Sequence, residues 1–277
     1  MNPSLSRWHG ACTSVGAKDQ GAPQKGRCFV ENSFLVGLSQ QMATNRAMEV
    51  IANNLANLST PAFKREAIEF QQFMVRVPAT ETEGGQTVNV SFVLDHGVTR
   101  DLSDGRMDQT GNTLDLAITG PGYFVVQTPN GERYTRNGHF KLDDQGNLVT
   151  EDGFQVQSDS GAITLQPQDG DLQVAADGTV STRLQLLGKL RVVDFANERA
   201  LKKVGGGLYD AAGQAAQAST TARVHQGLVE RSNVEPVIEI THMIEVLRAY
   251  QMSSDLTKSG EDLLKQAIEK LGAVPTA

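Results

Sequence analysis

The stretch IANNLANLSTPAFKRE, residues 51–66, decides how the rest of the chain is read. It closes a segment of helical periodicity, yet it sets asparagine at positions 53, 54 and 57. Asparagine is a mediocre helix former, because its side chain competes for backbone hydrogen bonds. Pro61 disfavours the helical conformation at Thr60, so the helix is expected to end near there. Asn53 and Asn57 are four apart and share one helix face, while Asn54 points elsewhere. Beside Ala52 and Ala56 they let a neighbouring helix come close, and their amides both donate and accept. The expectation is that this cluster sets register between neighbouring helices; the competing reading is that the asparagines fray and cap a helix end.

Upstream, residues 33–58 contain no proline and one glycine, Gly37. Apolar residues recur at Leu35, Leu38, Met42, Met48, Ile51, Leu55 and Leu58, at gaps of three or four interrupted by Asn45, which is a helix stripe. About 26 residues at roughly 1.5 Å each make a rod of about 39 Å. The far end of the chain mirrors this. Asn233-Val-Glu-Pro236 gives a start signal. Ile240, Ile244, Leu247, Tyr250, Leu264, Ile268 and Leu271 then keep helical spacing, with Ser253, Ser254 and Gly260 softening the middle.

Between the two helices the texture changes. Residues 84–213 hold 19 of the 27 glycines, and turn signals such as Pro129-Asn-Gly131, Glu151-Asp-Gly153 and Ala176-Asp-Gly178 recur at short intervals. Residues alternate between them at Val88, Val90, Phe92 and Leu94, at Leu114, Leu116 and Ile118, and at Leu190 and Val192. The expected fold class is therefore α+β. The terminal helices pair as a coiled-coil-like stalk, and an antiparallel all-β domain is inserted between them. A lone amphipathic helix is marginal in water, and two helices still leave apolar surface open, so other copies or relatives are expected to cover it. The expected divisions are 1–29, 30–66 (first helix and its exit turn), 67–225 (β domain) and 226–277 (second helix).

Composition limits the function. At 39% hydrophobic and 21% charged residues, the chain is that of a globular protein. A net charge of −7 argues against nucleic acid as a partner. No run approaches the roughly 20 apolar residues needed to span a bilayer. The first 29 residues hold both cysteines, the only tryptophan and a charge of +3 from Arg7, Lys18, Lys25 and Arg27 against Asp19. They lack an apolar core segment, so they do not read as a secretory leader. They read as a disordered arm, or as a start assigned upstream of Val30.

No enzyme signature is found. The five histidines (9, 96, 139, 225 and 242) are scattered, and none has metal-ligand spacing. Gly120-Pro-Gly122 leads into Tyr123-Phe-Val-Val126 as a tight turn before a strand. Acidic residues at turns (Asp143, Asp144, Asp152, Asp159, Asp169) lack calcium-loop spacing and fit turn chemistry. No cofactor is expected.

Asn53-Asn-Leu-Ala-Asn57 followed by Phe63-Lys64 resembles the N-terminal signature of the bacterial flagellar rod and hook proteins. The run Gln109–Ile118 with Gly120-Pro-Gly-Tyr-Phe124, and then Tyr134–Gly138 with Phe140, Leu148–Thr150 and Gly153, resembles their shared β core. Gln226–Val234 and Arg248-Ala-Tyr-Gln251 resemble their C-terminal signature. One departure is Ser59-Thr-Pro-Ala62, where the family has a turn ending in glycine. Glu31–Gln40, Leu190–Phe195, Leu201–Gly205 and Leu208-Tyr209, with the short β domain, are most similar to proximal-rod members.

The resemblance implies a structural subunit of the flagellar basal body, in the proximal rod. A distal-rod paralogue is the alternative, and a β-domain module binding cell-wall glycan is the alternative from another class. It also implies export by the flagellar apparatus without a cleaved signal, a periplasmic position, and partners that are rod proteins and further copies, met by helix packing. There is no direct membrane span and no nucleic acid. The residues expected at subunit interfaces are Leu35, Leu38, Met42, Asn45, Met48, Ile51, Asn53, Asn54, Leu55, Asn57, Ile240, Ile244, Leu247, Tyr250, Leu264 and Ile268.

Overall fold

The computed structural model describes residues 27–78, 87–166 and 170–272. The arm expected at the amino end lies outside them as far as residue 26. The first helix, α1 (Arg27–Ala56), is followed by a ribbon of two long antiparallel strands, β1 (Glu66–Pro78) and β2 (Thr87–Arg100). Two short strands, β3 (Met107–Gln109) and β4 (Leu116–Thr119), lead into the β domain. Its strands are β5 (Tyr123–Thr128), β6 (Gly131–Thr135), β7 (Phe140–Leu142), β8 (Leu148–Thr150), β9 (Gln155–Ser158), β10 (Gly161–Ala162), β11 (Gln173–Val174), β12 (Thr179–Ser181), β13 (Leu186–Lys189), β14 (Val192–Asp194), β15 (Lys202–Gly205), β16 (Leu208–Asp210) and β17 (Gln217–Ala218). The chain returns through β18 (Arg223–Gln226) and β19 (Leu228–Glu230) and ends in α2 (Pro236–Gly272).

Every described strand pairing is antiparallel. One sheet runs β15-β16-β6-β5-β9-β8-β7, with β10 on β9, and with β14 on β5 carrying β17; β11-β12-β13 form a second sheet. This pattern follows from short strands separated by glycine turns: Gly131, Gly146, Gly153 and Gly178 all take positive φ, which glycine adopts without steric cost. The core is the inward row of those strands. Leu116, Ile118, Phe124, Val126, Phe140, Leu148, Val156 and Leu190 form one cluster. Tyr123, Val125, Tyr134, Phe195 and Tyr209 form another, its rings meeting edge to face.

The chain closes on itself. β4 pairs with β18 and β3 with β19, so the entry and exit of the β domain are held side by side. α1 and α2 consequently lie antiparallel, with Asn54 bonded to Glu239 at the near end and Gly37 bonded to Ser253 farther out. α2 runs unbroken through Ser253, Ser254 and Gly260, where the sequence suggested softening. Hydroxyls there bond back to preceding carbonyls, Thr257 to Ser253 at 2.9 Å and Ser259 to Asp255 at 2.8 Å, without interrupting the helix. Among the described residues, no helix is long and apolar enough to cross a membrane.

Candidate subunit interface and the joint that presents it

The helical pair is built unlike an ordinary hairpin. Among the less exposed positions of α2, Glu239, Met243, Val246, Tyr250, Ser253, Thr257 and Gly260 share one face, with His242, Ala249 and Ser254 half-buried beside it. On α1, Gly37, Gln41, Thr44, Met48, Ile51 and Leu55 share one face, with Val50 and Asn54 buried beside it and Leu58 just past the helix end. The seam is apolar near the β domain and small or polar away from it. Ser253 Oγ donates to the Gly37 carbonyl (3.1 Å), and Gln41 Nε2 donates to Thr257 Oγ1 (3.3 Å). A Cβ at Gly37 would stand 3.0 Å from Thr257 Oγ1, so the helices approach closely there.

Many other large apolar side chains point away from this seam. On α1, Leu38 and Met42 are exposed, Met42 at 67%, on the same side as exposed Asn45 and Asn53. On α2, Val237, Ile240, Ile244 and Leu247 form an exposed stripe, and Met252, Leu256, Leu263, Leu264 and Ile268 continue the exposed apolar surface outward. The stripe read from sequence thus divides. Met48, Ile51, Leu55 and Tyr250 are half-buried or buried within the chain, whereas Leu38, Met42, Ile240, Ile244, Leu247, Leu264 and Ile268 are displayed. The side chain of Leu35 lies outside those described.

The three asparagines also divide. Asn54 is buried, at 1% exposure. Its Nδ2 donates to the Glu66 carbonyl (2.7 Å) and to Glu239 Oε2 (3.1 Å), and its Oδ1 accepts the Glu66 N–H (2.9 Å). It pins the first residue of β1 to the root of α2. Asn57 Nδ2 donates to the Asn53 carbonyl (2.8 Å), and Thr60 Oγ1 donates to Asn57 Oδ1 (3.1 Å), which caps the helix end. Asn53 is exposed.

Below the helices lies a joint of buried charge that the sequence did not announce. Glu230, at the end of β19, receives Lys64 Nζ at 2.7 Å on Oε1 and Arg136 Nε at 2.8 Å on Oε2. The Gly105 N–H adds a third donor at 2.9 Å. Lys64 also donates to the Ser103 carbonyl (2.7 Å), and Arg136 reaches Asp104. Burial, reinforced by the Arg136 charge, holds the Lys64 ammonium below the usual lysine range against the pull of Glu230. Glu239, fully buried in the first turn of α2, takes Arg65 Nε at 2.5 Å as well as Asn54. Asn233 accepts the Arg65 N–H (2.6 Å) and donates to the carbonyls of Asp101 (3.0 Å) and Ser103 (3.2 Å).

The ribbon is fastened to the same place. Arg100 lies over the Tyr209 ring, 5.2 Å from its centroid, and donates to the Leu201 and Arg199 carbonyls. Lys203 bonds Glu66 (3.1 Å) and sits 4.4 Å above the Phe63 ring. A signal for the joint was present in Phe63-Lys64 and in Glu230-Arg-Ser-Asn233. What it lacked was spacing, since the partners lie up to 185 residues apart.

His139 Nδ1 lies 2.7 Å from Asp115, whose buried carboxylate also receives Thr110 and Asn112, an arrangement that fastens the loop before β4. Among the described residues, no cluster of histidine, cysteine and carboxylates is suited to hold a metal ion.

A long helical pair whose apolar faces are exposed among the described residues, joined by buried ion pairs to a β domain, is the build of an assembly subunit. Three family profiles match in the order of the chain. Residues 34–64 match the flagella basal body rod protein profile, 117–182 the flagellar hook protein FlgE/F/G D1 domain, and 225–270 the flagellar basal body rod FlgEFG protein C-terminal region. The flagellar basal-body rod protein FlgF of Caulobacter vibrioides is 40% identical over 247 residues, spanning 88% of this chain and 100% of that protein. FlgG of Buchnera aphidicola subsp. Schizaphis graminum is 34% identical, covering 79% of this chain and 92% of its own length. FlgF of Mesorhizobium japonicum is 31% identical, covering 88% and 99%. The chain belongs to the flagellar basal-body rod protein family.

Proposed function

We propose that the chain is a structural subunit of the proximal part of the flagellar rod, which polymerises through the outer faces of α1 and α2 and carries torque through its charged joint. The observation that carries this reading is the distribution of apolar side chains on the helical pair. Its outer half closes on glycine, serine, threonine and glutamine, while leucine, isoleucine and methionine face outward. Burying one such side chain contributes roughly 1.5–3 kcal/mol, so a neighbour covering several of them gains enough to offset the ordering of two subunits. The alternation by four and three along both seams supports coiled-coil-like packing within the pair. The partners are further copies and related rod proteins. The flagellar export apparatus delivers the chain, without a cleaved signal, to the rod in the periplasm.

The test uses a strain lacking the gene. Full-length protein restores basal-body rods and swimming. Ile240→Ser combined with Ile244→Ser alters only exposed positions, so the purified chain keeps its unfolding midpoint while rods fail to complete. Full swimming with the double variant would overturn the reading.

A further inference from the structure

We infer that residues 223–239, which contain the signature run Gln226–Val234, are the closing element of folding: residues 56–66 and 101–119 have no stable fold until this segment docks. Residues 56–66 and 101–119 find many of their backbone partners there. The Ala62 N–H bonds the Glu230 carbonyl (2.8 Å), the Thr110 N–H the Gly227 carbonyl (2.9 Å), the Gly227 N–H the Asp115 carbonyl (2.8 Å) and the Arg231 N–H the Arg106 carbonyl (2.8 Å). Among the described strands β3 pairs with β19 and β4 with β18, while the Leu116 N–H at the start of β4 bonds the Gly138 carbonyl. Gly105 packs so tightly that a Cβ would stand 1.9 Å from the Arg231 carbonyl oxygen.

The charges enforce the same order. Without Glu230, the buried Lys64 and Arg136 face each other with only the half-exposed Asp104 between their charges, and without Glu239, Arg65 and Asn54 lose a buried acceptor. A buried charge lacking its partner is strongly disfavoured, so a chain that ends before residue 230 leaves these groups in water. By contrast, strands β5 to β10 pair with one another within residues 123–165, through local pairs such as the Leu148 N–H on Ile163 and the Leu165 N–H on Gly146. Local pairs form before pairs that must close loops of more than a hundred residues.

This order concerns the single chain and goes beyond its place in the rod. If the exported chain emerges amino end first, this order keeps the polymerising helix α1 without its partner surface until nearly the whole polypeptide is out.

The test is pulse-labelled amide exchange during refolding of the full chain from denaturant. The amides of Leu148 and Leu165 gain protection first; those of Ala62, Thr110, Gly227 and Arg231 follow together in a later phase. Glu230→Gln slows the later phase about tenfold and leaves the first within about twofold, as expected for a contact made in the closing step. Val229→Ala, a milder change in β19, gives a smaller slowing of the same phase. Protection of Ala62 and Thr110 ahead of Gly227 and Arg231, or a single phase shared with Leu148, overturns the inference. The assay involves no assembly, so its failure leaves the rod reading standing, and the failure of that reading leaves the folding order intact.

Discussion

Lys64 Nζ stands 2.7 Å from Glu230 Oε1, with 4% of one side chain and 1% of the other exposed. The pair joins the exit of the first helix to the last strand before the second. Glu230 serves two cations, Lys64 and Arg136, of which Arg136 also reaches Asp104. Removing Glu230 leaves Lys64 and Arg136 buried with like charges adjacent. Removing Lys64 leaves Glu230 still bonded to Arg136 and to the Gly105 N–H. Glu230→Gln is therefore expected to cost about 3–5 kcal/mol, and Lys64→Met about 1–2 kcal/mol. Denaturant unfolding of the purified chain measures both. A larger loss from Lys64→Met than from Glu230→Gln would show that the charge balance of the joint is misassigned.

Asn54 and Asn53 are neighbours in sequence with opposite duties. Asn54→Ala strands the N–H and carbonyl of Glu66 and one oxygen of Glu239, each buried or nearly so. A loss of about 2–4 kcal/mol is expected, since each unsatisfied buried group costs about 1–3 kcal/mol and local water recovers part. Asn53→Ala changes stability by no more than about 0.5 kcal/mol, because the position is exposed and alanine favours helix. If Asn53 sets register between subunits, its alanine variant folds normally but is incorporated poorly into rods. Unchanged incorporation removes Asn53 from the interface.

The division between these asparagines marks how far sequence could see. Periodicity located both helices, because leucine and isoleucine at gaps of three and four line one face of a helix and match no strand period. Glycine turns located the β domain in the same way. The face of each residue was harder. Leu38 and Met42 connect to Met48 and Ile51 at short gaps only by way of Asn45. Over those steps the row turns around the helix, so that Met42 and Ile51 lie on opposite sides. Only the latter turns toward α2, with Gly37 and Thr44 on its face farther out. A pattern that counts apolar residues ranks Gly37 and Thr44 as gaps in the stripe. The charged joint was less legible still. Lys64, Arg136 and Glu230 each look like solvated residues within their own segments, and only the closure of β3 on β19 brings them together.

Ala62 occupies a turn in which φ is 55°, a left-handed conformation that costs a residue with a Cβ about 1–2 kcal/mol. The joint holds it there: its N–H bonds the Glu230 carbonyl, and its side chain is buried beside Phe63. Glycine relieves the strain but loses more freedom on folding, by about 0.5–1 kcal/mol. Ala62→Gly is accordingly expected to stabilise the chain by about 0.5–1 kcal/mol, read as a higher unfolding midpoint with an unchanged denaturant slope. Destabilisation would mean that the buried methyl group outweighs the strain.

Asp101 makes the joint sensitive to acid. Its carboxylate accepts the Ser103 N–H at 3.0 Å, and that bond, aided by the nearby Arg65 and Lys64 charges, holds its pKa below the ordinary aspartate value of 3.8. A carboxyl group whose pKa is depressed on folding contributes stability at pH above the unfolded value and loses it as pH falls through the folded one. The advantage of the native chain over Asp101→Asn should therefore be constant near neutrality, shrink as pH drops below 3.8, and vanish once the group is protonated in the folded state. Because the group is largely exposed, the effect is small and is best read as a difference between the two chains in denaturant midpoints taken at matched pH. An advantage that grows toward acid would require the folded pKa to be raised, and with it a different partner for Asp101 than the Ser103 amide.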